Sequence, residues 1–188
     1  MEGEKLANPG PLGLAGFGMT TVLLSIHNTG LFPMASPIMA MAVFYGGIAQ
    51  IIAGIMEFKK GNTFGMTAFI SYGSFWLTLV FILVSKSLPE TSPAFLGWYL
   101  FLWGLFTFFM WFGTFGKNRV IQFVFLSLFV VYWFLAIGEW FGAVTTGRVA
   151  GWIGIACGAA AFYLAMAEVI NESMGRTALP IGQPRLLT

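Results

Sequence analysis

Charge is scarce in this sequence. Only 9% of its 188 residues are charged, nine of them basic and seven acidic, and they avoid the apolar runs. No basic stripe is left to track a phosphate backbone, which excludes nucleic-acid binding. Cysteine occurs once, as Cys157 inside an apolar run, so neither an internal disulfide nor a multi-cysteine metal site is available. Histidine also occurs once, as His27. Without a metal-ligand cluster, a nucleophile triad or paired carboxylates, enzymatic chemistry is the class least served, and no cofactor or metal is expected.

What the sequence has in excess is apolar surface, at 58% of its residues and a mean hydropathy of +0.84. A soluble domain has no way to hide that much. Apolar runs bounded by Gly, Pro or charge fall near 11–29, 37–57, 64–86, 94–115, 120–141 and 149–170. They lack the period-two alternation of barrel strands, and lipid demands that each segment satisfy its own backbone, so every run is expected to be a helix. The expected fold is therefore all-α: six transmembrane helices arranged as three hairpins, with a single membrane domain over 11–170 between tails 1–10 and 171–188. Met1–Gly10 is polar and no cleavage site follows a short apolar core, so the first span is expected to persist in the mature protein.

Lys5, Lys59, Lys60, Lys117, Arg119, Arg176 and Arg185 fall on one side of this topology, against Lys86 and Arg148 on the other. The positive-inside bias places both termini in the cytoplasm of a bacterial or archaeal cell, with the chain in its inner membrane. Trp98, Tyr99, Trp140 and Trp152 lie near span ends, where amphipathic rings prefer the headgroup layer.

Overlaying the even spans gives a recurring Gly followed three residues later by a polar or small residue: Gly47/Gln50, Gly104/Thr107 and Gly158/Ala161. Ten residues after each Gly stand Glu57, Thr114 and Glu168. The odd spans echo this, with Asn8, Asn62 and Asn118 just before them and Phe17, Tyr72 and Leu128 nine or ten residues later. At about 1.5 Å per residue those bulky side chains lie roughly 15 Å inward, near mid-bilayer. A central constriction is the functional expectation; ordinary packing is the plain one.

Candidate path residues follow from polar groups inside apolar runs. Thr67, Ser71, Ser74 and Thr78 share one helical face, either lining a path or bonding between helices and to their own backbone. Thr21, Ser25 and Asn28, with Thr20 and His27 adjacent, make the outer half of the first span too polar for lipid. Asn8, Gln50, Thr107, Gln122 and Ala161 complete the set. No Lys or Arg stands mid-span, so a carboxylate would be held by hydroxyls, amides and helix dipoles or would cross as the neutral acid. Glu57, Glu168 and His27 are the candidates for proton coupling, with Glu139 at an outer end. Glu57 could equally pair with Lys59 and Lys60 at the water boundary, and His27 and Glu139 could merely face the outer side.

The run Asn8-Pro9-Gly10-Pro11-Leu12-Gly13-Leu14 resembles the hallmark Asn-Pro-Ala-Pro-Leu-Gly-Leu of the acetate uptake transporter family, with Gly10 in place of the usual Ala. Phe44-Tyr45-Gly46-Gly47-Ile48-Ala49-Gln50, Gly61-Asn62-Thr63-Phe64-Gly65, Ser71-Tyr72-Gly73-Ser74-Phe75-Trp76 and Ala165-Met166-Ala167-Glu168 extend the likeness over nearly the whole chain. The resemblance implies a homohexamer of six-helix protomers, each with its own path narrowed by a Phe, a Tyr and a Leu at positions matching Phe17, Tyr72 and Leu128. It implies uptake of acetate, with succinate and other short carboxylates accepted in some members, proton-coupled or channel-like. The small Ala161 would leave room beside the constriction. Two other readings stay open: a urea- or ammonia-type channel for neutral solutes, and a structural or sensory membrane protein.

Overall fold

The computed structural model describes residues 6–85 and 89–182, so Lys5, Lys86 and Arg185 of the charge argument lie outside the described residues. Six helices are long and apolar enough to span a membrane: α1 (Gly10–Asn28), α2 (Ser36–Lys59), α3 (Thr63–Val84), α4 (Pro93–Phe112), α5 (Arg119–Phe141) and α6 (Val144–Met174). The chain is thus an all-α, multi-pass membrane protein. Helix α6 overruns the apolar run 149–170 at both ends, because residues beyond an apolar run need no apolar side chains to stay helical. Glycines in the left-handed conformation end α5 and α6, Gly142 at φ 62° and Gly175 at φ 61°.

In lipid there is no hydrophobic drive between helices, so close approach depends on small residues. The seam between α1 and α6 is built on them. A Cβ on Gly158 would stand 2.6 Å from the carbonyl oxygen of Gly18, and one on Gly151 2.5 Å from the backbone nitrogen of Thr29. The α2–α3 seam repeats the device, a Cβ on Gly73 meeting the Gly47 carbonyl oxygen at 2.8 Å. Between α4 and α5 the glycines instead cradle indoles, Gly97 against Trp140 and Gly104 against Trp133. Each even helix therefore packs tightly on the odd helix that follows it, with α6 closing on α1. The α3–α4 seam is filled by rings, with Phe75 stacked on Tyr99 at 5.9 Å and edge-on to Trp103 at 5.3 Å.

Two features were invisible in the sequence pattern. Ala42–Ala49 inside α2 is π-helical, a register that releases backbone groups and recurs at functional sites. Beyond α6 the chain folds back: the Asn171 side chain accepts from the backbone nitrogens of Ala178 and Leu179 at 2.7 and 2.8 Å and donates to the Leu179 carbonyl at 2.8 Å.

Because overpacking costs about 1–3 kcal/mol, Gly158→Ala is expected to lower the unfolding temperature in detergent. Gly147→Ala has nothing within 4 Å of the added carbon and is expected to raise it slightly, by helix propensity of up to about 1 kcal/mol. Thermal melts of the two variants check the contrast in sign.

Candidate functional site

A cavity of about 370 Å³ opens at the end of the bundle where α1 begins and α6 ends. Asn8, Asn62 and Asn118 all line it, as do Phe17, Tyr72 and Leu128 from further along the same three helices. The three equivalent asparagines do equivalent work. Each side-chain oxygen accepts a backbone N–H at the start of its odd helix: from Gly10 at 3.2 Å, Gly65 at 3.1 Å and Ile121 at 2.9 Å. Two of the three amides also hold a carboxylate. Asn8 donates to Glu168 at 3.0 Å and Asn62 to Glu57 at 2.7 Å. The corresponding position is Thr114, in the turn just after α4, whose hydroxyl bonds back to Trp111.

Glu57 is 2% exposed and lines the cavity. Its partner is Asn62, while Lys60 reaches Asn8 instead, at 3.1 Å. Both carboxylates flank Gly10, where a Cβ would stand 3.3 Å from Glu168 and 3.6 Å from Glu57. The Ala-to-Gly change in the N-terminal motif therefore sits against the acid pair. Lys117 also lines the mouth, its ammonium 4.6 Å from the centre of the Phe64 ring.

Deeper in, the walls turn apolar, with Leu14, Ala68, Phe69, Val124, Phe125 and Leu164 around the Phe17, Tyr72 and Leu128 side chains. Phe17 and Tyr72 pack ring to ring at 5.8 Å and Tyr72 meets Phe125 at 6.0 Å. Two polar side chains, Tyr72 and Gln50, line the cavity at this depth. Tyr72 donates to Thr107 at 2.9 Å, and Thr107 donates on to the Trp103 carbonyl at 2.7 Å. Gln50, 1% exposed, donates to the Gly46 carbonyl at 2.6 Å, and its side-chain oxygen has no partner among the described residues. Gly46 belongs to the π-helical stretch, so the Gln50 amide satisfies a carbonyl where the helix returns to α register.

One helical turn beyond the apolar neck stand Thr21, Trp76 and Tyr132, all buried. The Thr21 hydroxyl and the Trp76 indole nitrogen have no partner among the described residues. Trp76 and Tyr132 were not among the sequence candidates; their spacing of four residues after Tyr72 and Leu128, matching Thr21 after Phe17, was the signal available.

The remaining candidates lie elsewhere. Thr20 is fully buried under Gly46 and donates weakly to Met41. Ser74 bonds back to Ile70 at 2.8 Å, and Ser71 faces a shallow apolar groove with Tyr99, Leu102, Trp103 and Phe106. The hydroxyl stripe of α3 therefore runs outside the cavity. Thr107 acts through Tyr72, and Ala161 is fully buried behind the wall. Gln122 ties down the α4–α5 turn through the Lys117 carbonyl at 2.9 Å. His27 bonds to the Phe32 carbonyl at 2.9 Å in the α1–α2 connection, and Asn28 is partly buried near it, both at the far end from the acid pair. Among the described residues no group of three His, Cys, Asp or Glu could hold a metal.

Removing an N-cap side chain costs about 1 kcal/mol. Asn62→Ala is expected to cost more than Ser92→Ala, because Ser92 caps α4 alone whereas Asn62 also holds Glu57. Chemical denaturation in detergent compares the two.

The chain was compared with known proteins. The profile of the GPR1/FUN34/yaaH family matches residues 1–183. The succinate-acetate/proton symporter SatP of Escherichia coli strain K12 is 61% identical over 186 residues, covering 97% of this chain and 99% of that protein. Ammonia transport outward protein 2 of Saccharomyces cerevisiae is 37% identical, covering 90% of this chain and 64% of that one. The solved structure of the bacterial acetate channel SatP superimposes with a TM-score of 0.93 at 61% identity, over 95% of this chain and all of the other. The chain belongs to the GPR1/FUN34/yaaH family.

Proposed function

We propose that this protein carries acetate and succinate across the inner membrane with a proton. The observation that carries the reading is a cavity with an acid pair at its mouth and an apolar neck built from equivalent positions of three repeats. Its likeness to a succinate-acetate/proton symporter names the solute. The charge bias of the loops supports a mouth that faces the cytoplasm, and the family resemblance supports a homohexamer with one path per protomer.

The neck sets the energetics. Stripping a carboxylate of water costs several kcal/mol even after relaxation, and no Lys or Arg waits there to offset it. Protonating the acid at neutral pH costs about 4 kcal/mol for roughly three pH units, so the two routes are comparable and proton linkage is favoured wherever the outside is acidic. Neutral groups then receive the solute in turn: Thr21 and Trp76 on one side of Phe17, Tyr72 and Leu128, Gln50 beside them, and the asparagines at the mouth. Glu57 and Glu168 are the carboxylates on which the travelling proton rests before release. His27, far from this path, has no such part.

A second reading, passage of ammonia or another small neutral solute, draws on the yeast relative's name and on the absence of a cation at the neck. Uptake of labelled acetate into proteoliposomes separates them. Stimulation by an outside-acid gradient, with inhibition by succinate and none by urea, is expected; ammonia flux without acetate flux would give the second reading the site.

Two variants probe the parts. Phe17→Ala or Leu128→Ala is expected to raise the initial rate or admit a longer acid such as lactate, and unchanged rates in both would remove the gate. Glu57→Gln with Glu168→Gln is expected to abolish the gradient's stimulation while downhill acetate exchange persists, measured in the same vesicles.

A further inference from the structure

The chain does not leave the bundle when α6 ends. Gly175, at φ 61°, reverses its direction, and the following residues run back along α6 to the start of α5, beside the cavity. Asn171 grips the backbone of Ala178 and Leu179 with three hydrogen bonds of 2.7 to 2.8 Å. Tyr163 donates to the Pro180 carbonyl at 2.8 Å. The carbonyls of Gly182 and Ile181 then accept from the first backbone nitrogens of α5, those of Arg119 at 2.7 Å and Val120 at 3.4 Å. Between these anchors Ile181 enters the cavity wall, among the residues that include Asn118, Ile121, Leu164 and Glu168.

The fit at its end is close. Gly182 has φ 67°, and a Cβ there would meet the Arg119 side chain at 2.7 Å, so a glycine is required both by conformation and by space. Yet nearly every bond holding the segment is a neutral hydrogen bond near the water boundary, and only Ile181 packs against the apolar core. Such a segment opens locally without unfolding the helices behind it.

We propose that Gly175–Gly182 is a strap that closes part of the cavity mouth, hinged at Gly175 and latched by Asn171, and that solute exchange with the cytoplasm requires its release. Docked, it inserts Ile181 beside the acid pair and occupies the two leading N–H groups of α5. Released, it widens the mouth on the side of α5 and α6 and returns those donors to water. The claim about exchange rests on the transport reading above; the strap as a lid on the cavity does not.

The test uses the full chain in proteoliposomes, with Cys157→Ser as background and Ala68→Cys as a reporter in the cavity wall. Two variants loosen the strap, Asn171→Ala and a chain ending at Gly175. Loss of the Asn171 bonds is expected to shift the docked equilibrium by about tenfold. Both variants are then expected to speed labelling of the reporter by a membrane-impermeant maleimide and to raise the initial rate of acetate exchange. Equal labelling and equal flux in folded variants overturn the strap. Faster labelling with no acetate flux in any form, the parent included, supports the lid and overturns the transport reading.

Discussion

A charge at mid-bilayer has no water and, in this chain, no opposite charge to meet. That single cost arranges the rest. Lys and Arg are confined to the loops and helix ends, the neck is made of Phe17, Tyr72 and Leu128, and every polar group at its depth is neutral. Buried polar atoms must still be satisfied, and here most are bound to backbone: Gln50 to Gly46, Thr107 to Trp103, Ser127 to Phe123. Those left without a partner among the described residues, on Gln50, Thr21 and Trp76, lie beside Phe17, Tyr72 and Leu128 rather than scattered through the bundle. Trp133 is the exception, its indole nitrogen unpartnered but cradled against Gly104 away from the cavity.

The internal repeat explains how so short a chain makes a path at all. Asn62 and Asn118 cap two odd helices and Asn8 accepts the first backbone N–H of the third, three bulky residues stand at one depth, and three glycines let each even helix close on its neighbour. The symmetry is then broken where chemistry needs it. Glu57 and Glu168 have Thr114 as their third counterpart, so the mouth holds two carboxylates, each bonded by an asparagine, rather than three repelling ones. At the neck Gln50, Thr107 and Ala161 divide the labour: one keeps a free oxygen, one fixes the Tyr72 hydroxyl, and one adds only small bulk.

Much of this was legible in the residues. Six apolar runs give six helices, because lipid leaves no other way to satisfy the backbone, and the Asn and Gly spacings give the repeat that unites Phe17, Tyr72 and Leu128 in one cavity. What was not legible depends on contacts between distant segments. The hydroxyls of Ser71 and Ser74 have helical spacing but turn outward, since only the packing of α3 on α2 decides which face is inward. The polar outer half of α1 divides similarly, with Thr21 behind the neck and His27 in the α1–α2 connection. The π-helical register of α2 has no composition signal beyond Gly46-Gly47, and the fold-back after Gly175 uses one Asn171 side chain and backbone groups that any sequence carries.

Glycine links the two ends of the argument. Where Gly158 and Gly18 bring α6 and α1 into backbone contact, Leu164 and Glu168 come to the same cavity wall as Leu14 and Phe17. Were that seam wider by one methyl layer, Asn8 would lose its reach to Glu168, and the acid pair about Gly10 would separate. Gly10 itself, with no side chain, leaves both carboxylates room beside the start of α1, the positive end of that helix dipole. The small residues that assemble the bundle in lipid thus also fix the spacing of Glu57 and Glu168, the two acids that line the cavity among the described residues, so helix packing and the placement of these carboxylates are one structural problem in this protein.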